Sequence, residues 1–373
     1  MKDIVNSGRV KAVMYVLVTA VVRILDIGGW LDTWFAVFGD IFSLGVYSRL
    51  FCSEAGTKYR GVDALASRQV KRGKNGRMTI IAGDPAFDIG VPISDLLEGR
   101  VHDNLILAML SLLPIEKLLP NEKNKTCDIE IRIMSPFRPG ASVGTSAAVA
   151  VVVGMAINEL LAGLGYRRIS AKKLAKLAWQ AETRVLRKQS GTQDQGSAAE
   201  KAGFRAINVP EYPETSVEVF GAQREICERL LAGLITVEVG PHVSTVEHGR
   251  VIKEQEGKGP QSPELQRLRP LASRARKKLE AGDLEGLGRV MQANTRGQMA
   301  LCRGLVGPDH QRIIELASVR SDCYGWKVNG AGGDGGSITL LFASRKAAVA
   351  FYHAAKQKFA DDDFWYYEHS FAA

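Results

Sequence analysis

The chain has 373 residues, of which 46% are hydrophobic and 24% are charged, proportions that are ordinary for a globular protein. This composition excludes a disordered or low-complexity chain, and the length favours two domains over one. Lysine and arginine outnumber aspartate and glutamate by 49 to 40, and the net charge of +9 suits an anionic partner without choosing among nucleic acid, phosphate and other anions. Glycine is frequent, at 38 residues, which favours loops that approach a ligand closely.

The cysteines and the longest apolar runs bear on the location of the protein. The five cysteines are scattered and odd in number, so we expect no disulfide framework, no cysteine metal site and a cytoplasmic location. The apolar runs at 12–22 and 147–157 are shorter than the roughly 20 residues that a membrane-spanning helix needs. We therefore expect buried strands or helices there, and no membrane partner.

In chain order, the apolar pattern predicts a mixture of strands and helices. Strands are predicted at 13–27, 78–81, 127–134, 231–239 and 337–342. Helices are predicted at 104–119 with a break at Pro114, from 145 to about 165, at 169–186 with Ser170 as N-cap, within 265–301 and at 345–358. The polar stretch 254–263 predicts a loop. We therefore expect an α+β fold, with an N-terminal domain at 1–212 and a C-terminal domain at 213–373.

A loop of small residues at 139–148 joins a predicted strand to the start of a predicted apolar helix. The first turn of a helix leaves about four backbone N–H groups without partners and carries partial positive charge. Small residues let the oxygens of an anion reach those donors, so this loop is a candidate phosphate cradle. It is not a Walker loop, because no Gly-Lys-Ser/Thr follows. An N-capped helix after a tight turn is the alternative interpretation.

Two carboxylates near the next helix form a second candidate site. Asp194 lies in the turn Gly191-Thr192-Gln193-Asp194-Gln195 and follows Glu182 by 12 residues. A helix end and a turn between them allow both carboxylates to face one site, where one holds a metal ion and the other accepts a proton. The alternative is a solvated helix face followed by a polar turn.

Two further motifs lie near the ends of the chain. Residues 329–336 contain five glycines, a density that favours close backbone approach to a ligand over a plain hairpin turn. In the stretch 22–33, Arg23 lies on an apolar predicted strand, and the turn after that strand presents Asp32. A buried arginine is costly unless it meets an anion.

In this order, the four motifs resemble those of the GHMP kinase superfamily over most of the chain. Residues 23–33 (Arg-Ile-Leu-Asp-Ile-Gly-Gly-Trp-Leu-Asp-Thr) are most similar to the branch of heptose-phosphate kinases and fucokinases. Residues 138–148 resemble the motif that wraps the ATP phosphates, 191–195 the turn with the catalytic aspartate, and 327–336 the third motif. The sequence departs from the family pattern at Val21, Arg138, Ser142, Ala147 and Asp334.

The resemblance implies a fold, an activity and a set of site residues. The implied fold has an N-terminal mixed αβ domain with the ATP cleft against a C-terminal domain resembling an α/β sandwich. The implied activity is transfer of the γ-phosphate of ATP, with Mg²⁺, to a hydroxyl of a sugar or sugar phosphate such as a heptose phosphate, fucose or a uronic acid. Asp194 and Arg23 are the implied catalytic residues, and Ser146 and Glu182 the implied Mg²⁺ ligands. The implied ATP-binding residues are Pro139, Gly140, Ala141, Ser142, Val143, Gly144, Thr145 and Ser146. The implied substrate-binding residues are Gly28, Gly29, Asp32, Thr33, Gly191, Gln193, Gly330 and Gly332.

Other interpretations stay open. His242 and His248 are candidates for lining the substrate pocket, with a surface or packing role as the alternative. A non-catalytic nucleotide-binding protein with a regulatory role is the second functional class, although Arg23, Ser146, Glu182 and Asp194 are all present. A nucleic-acid binder is the third, but the basic helices lack interleaved aromatic residues, so we expect no nucleic-acid partner. A homodimer is compatible with the sequence.

Overall fold

The computed structural model describes residues 13–54, 56–82, 88–100, 104–242 and 246–373. They form two compact units that alternate along the chain. The described part of the first unit lies within 13–19, 63–134 and 149–188, and that of the second within 20–62, 135–148 and 189–373. The expected boundary at 212 falls inside the second unit, so the compact units divide the chain differently from the two sequence domains, which stay a prediction.

The helices and strands in chain order are as follows. The strands are β1 Val13–Ala20, β2 Val22–Ile27, β3 Gly39–Leu50, β4 Val62–Arg72, β5 Arg77–Ile81, β6 Ile89–Pro92, β7 Lys125–Met134, β8 Gly203–Glu211, β9 Glu214–Phe220, β10 Leu234–Gly240, β11 Cys323–Val328, β12 Gly336–Phe342 and β13 Trp365–Ser370. The helices are α1 Ile93–Leu97, α2 Leu105–Ser111, α3 Thr145–Gly163, α4 Ala171–Gln180, α5 Gln193–Ala198, α6 Arg224–Gly233, α7 Val246–Lys258, α8 Pro263–Leu268, α9 Leu271–Glu280, α10 Leu284–Leu301, α11 Pro308–Ser318 and α12 Arg345–Lys358.

The first unit is built on a five-stranded sheet in the order β1-β4-β7-β5-β6. The alternation predicted for β7 is confirmed, because Cys127, Ile129, Ile131 and Ile133 are buried and the residues between them are more exposed. Helix α2 begins after Asn104, whose side chain caps two backbone N–H groups, and the chain breaks at Pro114 as expected. The local sequence pattern therefore predicts these elements of the first unit correctly.

Helix α3 is 19 residues long and apolar throughout. Among the described residues it is the one helix that is long and apolar enough to cross a membrane, and 67% of its most apolar window is buried inside the protein. Burial on that scale is what the core helix of a globular protein shows. The expectation of a buried helix at 147–157 therefore agrees with the structure.

The second unit is built on an eight-stranded sheet. Its strands run β11-β12-β10-β13-β3-β8-β9, and β2 pairs with β3 beside this path. The 12-residue strand β3 organises the sheet, since it pairs antiparallel with β2, β8 and β13. A core cluster that includes Val237, Ile313, Leu340 and Phe351 joins the sheet to α11 and α12. This sheet carries β2 and therefore fixes the backbone on which Arg23 lies.

Helix α10 packs with its backbone directly against β11. A Cβ on Gly288 would lie 2.3 Å from the carbonyl oxygen of Tyr324, so no larger residue fits there. The close approach lets Asn294 and Gln298 reach across to loops of the same unit, where they bond the Gly28 N–H at 2.7 Å and the Gly330 carbonyl at 3.1 Å. Helix α10 thereby holds two of the glycine turns that the sequence singles out.

Three local expectations are wrong in detail. Of the stretch 254–263, expected to be a loop, only 259–262 lie between helices, because 254–258 are the end of α7, where Val251 and Gln255 are buried, and α8 starts at Pro263. The strand expected at 231–239 starts only at Leu234, because α6 continues to Gly233. The strand expected at 13–27 is two strands separated at Val21. Each error arises because polar and β-branched residues in a short segment do not determine its secondary structure, which depends on how the segment is buried in the folded protein.

We expect Gly288→Ala to lower the free energy of unfolding by roughly 1–3 kcal/mol, because the added methyl group overpacks the contact between α10 and β11. Urea unfolding followed by circular dichroism measures the change. The matched control is Gly249→Ala on α7, where nothing lies within 4 Å of the added Cβ. The control should keep or slightly raise the stability, by up to about 1 kcal/mol. Equal stability of both variants would contradict the close packing.

Candidate active site

Arg23 is the centre of the site. It lies on β2, whose six residues are all buried. Its Nε donates to Asp194 Oδ1 at 2.6 Å and its Nη2 to Asp194 Oδ2 at 3.0 Å, while Nη1 donates to the Ser142 carbonyl at 3.0 Å. The backbone N–H of Arg23 donates to the Val143 carbonyl at 3.0 Å. The structure thus brings together three of the four motifs that the sequence singles out.

The charge of Arg23 is held by carboxylates on two sides. Asp194 binds it in a fork, and Asp26 Oδ1 lies 3.4 Å from Nη1. Burial by itself lowers the pKa of Arg23, but the charges of Asp194 and Asp26 outweigh burial and raise that pKa above its ordinary value. The guanidinium is therefore permanently charged and is fixed in direction.

Asp26 ties the fourth motif to the same strand. Its Oδ1 accepts hydrogen bonds from Lys327 Nζ and from the Gly330 N–H, both at 3.2 Å. Asp26 and Lys327 are fully buried, and burial lowers the pKa of Lys327. Sequence reasoning assigned no role to Asp26. The signal was present, since an acidic residue three places after Arg23 in an apolar strand needs a buried cation as partner.

The loop 139–148 is anchored through its carbonyl groups. The Gly140 oxygen accepts from the His242 N–H at 2.8 Å, and the Ala141 oxygen accepts from Ser337 Oγ at 2.6 Å. The next two carbonyls accept from Arg23, as described above. Four consecutive anchored carbonyls hold the loop in one conformation. The loop lies close to the Arg23–Asp194 pair, because a Cβ on Gly144 would lie 3.2 Å from Arg23 Cγ and 3.5 Å from Asp194 Cγ.

The backbone of this loop shows how Ser142, one departure of the sequence from the family pattern, is accommodated. Gly140, Ser142 and Gly144 have φ values of +85°, +58° and +73°, the left-handed region that favours glycine. Ser142 adopts this conformation without being glycine, which stores a modest strain. The loop therefore keeps the shape for which glycine is normally required.

Asp32 supports the turn that carries Asp194. Its Oδ2 accepts from the Thr192 N–H at 2.8 Å and the Gln193 N–H at 3.0 Å, at the start of α5. A Cβ on Gly191 would lie 2.1 Å from the same oxygen, so only glycine fits at that position. Burial raises the pKa of Asp32 to about 6, although the two backbone hydrogen bonds oppose the shift. Asp32 therefore positions Asp194 in addition to facing the cavity.

A cavity of about 240 Å³ opens beside Asp194 in the second unit. It is lined by Arg23, Trp30, Asp32, Thr33, Trp34, Gln189, Ser190, Gly191, Gln193, Asp194, His242, His248, Ile252, Gly330 and Ala331. The predicted substrate residues Asp32, Thr33, Gly191, Gln193 and Gly330 are among them. Gly28, Gly29 and Gly332 are not, and they shape the surrounding backbone instead.

Both candidate histidines line this cavity. The rings of His242 and His248 are 5.0 Å apart, and His248 Nε2 bonds the Gly332 carbonyl at 2.9 Å. Burial lowers the pKa of each, so both rings are neutral near pH 7. Sequence reasoning missed the indoles of Trp30 and Trp34, although their place just after the glycine turn at 28–29 was a usable signal.

The predicted Mg²⁺ ligands lie in different compact units. Ser146 is an exposed residue in the first turn of α3, in the second unit. Glu182 lies in the first unit, on the π-helical turn Ala181–Val185 that follows α4. Among the described residues, no three His, Cys, Asp or Glu side chains gather into a metal-binding group. The assignment of both residues as ligands stays a prediction.

Comparisons with known proteins identify the family. The model of the GHMP kinases N terminal domain matches residues 104–201, and that of the GHMP kinases C terminal domain matches residues 275–361. A search of curated protein sequences finds no match.

Solved structures of similar fold cover the whole length of the chain. The L. major mevalonate kinase in complex with R-mevalonate is 19% identical, with a TM-score of 0.65 over 99% of this chain and 100% of its own. The D-glycero-D-manno-heptose 1-phosphate kinase from Bacteriodes thetaiotaomicron is 15% identical, with a TM-score of 0.63 over 96% of this chain and 97% of its own. The Lactococcus lactis galactokinase complexed with galactose is 14% identical, with a TM-score of 0.65 over 97% of this chain and 94% of its own.

At these identities the likeness to solved structures establishes the fold, and the expectation of an α+β GHMP fold is confirmed. The two family models establish membership. The chain carries the N- and C-terminal domains of the GHMP kinases and belongs to this family of phosphotransferases.

Proposed function

We propose that the protein is a kinase that transfers the γ-phosphate of Mg-ATP to a hydroxyl group of a sugar or sugar phosphate. The observation that carries the proposal is the forked Arg23–Asp194 pair, which faces a cavity of small-molecule dimensions beside the loop at the start of α3. The fold neighbours include kinases of mevalonate, of a heptose phosphate and of galactose. The proposal includes a cytoplasmic location, which agrees with five cysteines that form no disulfide.

Asp194 is the group that meets the acceptor. Its side chain is 28% exposed, whereas that of Arg23 is 6% exposed, so the carboxylate faces the cavity and the guanidinium supports it from behind. Asp194 orients the acceptor hydroxyl and takes its proton as the acceptor oxygen bonds to the γ-phosphorus. The bond from that phosphorus to the leaving oxygen of ADP breaks in the same step, and the electron pair leaves with ADP.

Arg23 has two functions in this mechanism. Its two hydrogen bonds hold the Asp194 carboxylate in a fixed position at the edge of the cavity. Its permanent positive charge also offsets the negative charge that develops on the transferred group. Phosphoryl transfer needs positioning and charge stabilisation above all, and one rigid side chain contributes to both here.

The loop 139–148 fits the phosphates of a nucleotide. Thr145 Oγ1 at the start of α3 is buried and has no hydrogen-bond partner within the described chain. Orphan N–H groups at a helix start, beside small residues with left-handed φ values, form a cradle for anionic oxygens. Ser146, in the first turn of α3, would supply a hydroxyl oxygen to Mg²⁺. When bound, Mg-ATP supplies the phosphoryl group and the metal neutralises phosphate charge.

A panel of sugars and sugar phosphates, incubated with Mg-ATP and assayed by ADP release, tests the proposal. Phosphorus NMR of any product identifies the new phosphate ester. We expect release of ADP that depends on one class of sugar acceptor. Tight ATP binding without turnover of any acceptor would instead favour the regulatory nucleotide-binding protein.

We expect Asp194→Asn to lower kcat by roughly 10²–10⁴-fold, because the amide cannot accept the hydroxyl proton. Calorimetry should give an ATP affinity close to that of the natural protein, since the phosphates lie on the loop 139–148. The matched control is Asp361→Asn, an exposed carboxylate after α12, which should retain full activity. An unchanged kcat in the Asp194 variant would remove this residue from the mechanism.

Ser146→Ala should raise the Mg²⁺ concentration that gives half-maximal activity by about 10-fold or more, because the site loses one of its few protein oxygens. The titration is made at saturating ATP and acceptor. Ser318→Ala, at the end of α11, serves as the control and should leave the titration unchanged. Identical Mg²⁺ titrations for the natural protein and the Ser146 variant would exclude Ser146 as a ligand.

Asp32 should give the folded protein a distinctive pH dependence. Its pKa is about 6 in the folded state and near 3.8 when unfolded, so the native state binds more protons between those values. Stability from this group is present below pH 4 and is lost as the pH rises through 6. Relative to Asp32→Asn, the natural protein should therefore lose roughly 2–3 kcal/mol of unfolding free energy between pH 4 and 7. A constant difference between the two proteins across that range would contradict the buried, shifted carboxyl group.

A further inference from the structure

Three polar side-chain atoms around the cavity have no hydrogen-bond partner among the described residues. They are Trp30 Nε1, Gln193 Oε1 and His242 Nδ1, and each atom is buried. Trp30 is 8% exposed and Gln193 is 7% exposed, and all three residues line the cavity that Asp194 faces. Buried polar groups are nearly always paired in native proteins, so three orphans around one cavity point to a ligand that pairs them.

A contact fixes the role of the orphan atom in Gln193, and the chemistry of the indole fixes that in Trp30. Gln193 Nε2 donates to Asp32 Oδ1 at 3.4 Å, which leaves Oε1 as an acceptor. The Trp30 indole N–H is a donor only. The neutral ring of His242 offers Nδ1, and its own backbone N–H is anchored on the Gly140 carbonyl. The cavity therefore presents uncharged donors and acceptors in fixed places.

Trp30 is held in an unusual backbone conformation. Its φ is +79°, which is an outlier for a bulky residue and persists only where the surroundings impose it. Thr33 Oγ1 donates to the Trp30 carbonyl at 2.7 Å, and the indole packs against Phe35 and His248 with ring centroids 6.1 and 6.0 Å away. Strain of this kind is characteristic of binding sites, because the fold accepts it in order to aim a side chain.

The charges around the cavity exclude an anionic acceptor. Among the described residues of the second unit that line it, Arg23 is the sole permanent cation, and its contacts are with Asp194, Ser142 and Asp26. The lining also contains the carboxyl groups of Asp32 and Asp194. A phosphate or carboxylate on the acceptor would lie near these two acids without a dedicated lysine or arginine, the residues that normally bind such groups.

We infer that the acceptor is an uncharged polyhydroxy compound of monosaccharide size, and that Trp30, Gln193 and His242 determine specificity by binding its non-reacting hydroxyls. The inference rests on the proposed kinase activity and narrows its substrate class. A hydroxyl group both donates and accepts, so a polyol pairs the indole N–H, the amide oxygen and the imidazole nitrogen at once. The cavity, at about 240 Å³, lies at the small end of ligand sites and suits one sugar ring.

Matched acceptor pairs test the charge of the substrate. Each free aldose is compared with its phosphate ester and its uronic acid by ADP release with Mg-ATP. We expect kcat/KM for the neutral member to exceed that of either anionic member by about 100-fold or more. Faster turnover of a phosphate ester or a uronic acid would overturn this inference and leave the kinase proposal intact. Absence of ADP release with every acceptor would overturn both.

Variants test the specificity residues. Trp30→Phe removes one donor and keeps an aromatic ring, so KM for the neutral acceptor should rise about 5- to 10-fold while KM for ATP stays constant. His242→Lys places a cation in the cavity and should raise the ratio of phosphorylated to neutral acceptor turnover at least 10-fold, a change that mere loss of packing does not produce. Trp365→Phe and His353→Lys, at exposed positions on β13 and α12, are the matched controls. Unchanged KM values and acceptor ratios in well-folded Trp30 and His242 variants would exclude these residues as specificity determinants.

Discussion

The buried positive charge of Arg23 is the constraint around which the site is organised. An ion of this size is costly to remove from water, and the cost is offset only when opposite charges and hydrogen bonds surround it. Asp194 and Asp26 supply the charges, and the Ser142 carbonyl completes the set. Asp194 and Ser142 lie 171 and 119 residues from Arg23 along the chain, so the guanidinium can be buried only when the second unit is folded. The reactive geometry is therefore a product of the folded core.

A second buried cation imposes the same constraint on the glycine-rich segment at 329–336. Lys327 is fully buried, and Asp26 binds it together with the Gly330 N–H. Asp26 thus lies between two cations and links strand β2, near the start of the chain, to the glycine-rich segment near its end. Because the side chains are coupled, removal of Asp26 would leave two buried positive charges short of a partner. Its function is to position Arg23 and the glycine turn, although it does not line the cavity.

Much of this site was accessible from the sequence. The resemblance of the four motifs to those of the GHMP kinases implied that Arg23, Asp194, the loop 139–148 and the glycine-rich segment meet, and the structure brings them together in one unit. The sequence signalled that Asp26 needs a buried cation, but it did not identify Lys327 as that cation, because no local pattern pairs residues 301 positions apart. The three orphan atoms of the cavity were equally hidden, since a missing partner is visible only when all neighbours are placed. The end of α7 was predicted to be part of a loop, because its polar residues resemble a loop when burial is unknown.

Three non-glycine residues at the site adopt left-handed backbone conformations. Leu25, Trp30 and Ser142 have φ values of +55°, +79° and +58°, and none of them is glycine. Leu25 lies between Arg23 and Asp26 on β2, Trp30 lines the cavity, and Ser142 accepts from Arg23. Each conformation costs free energy that a freer segment would relax, so the surrounding contacts must hold all three in place. The contacts of Arg23 fix the Ser142 carbonyl, whereas Thr33, Phe35 and His248 hold Trp30, so charge burial and aromatic packing together shape the cavity beside Asp194.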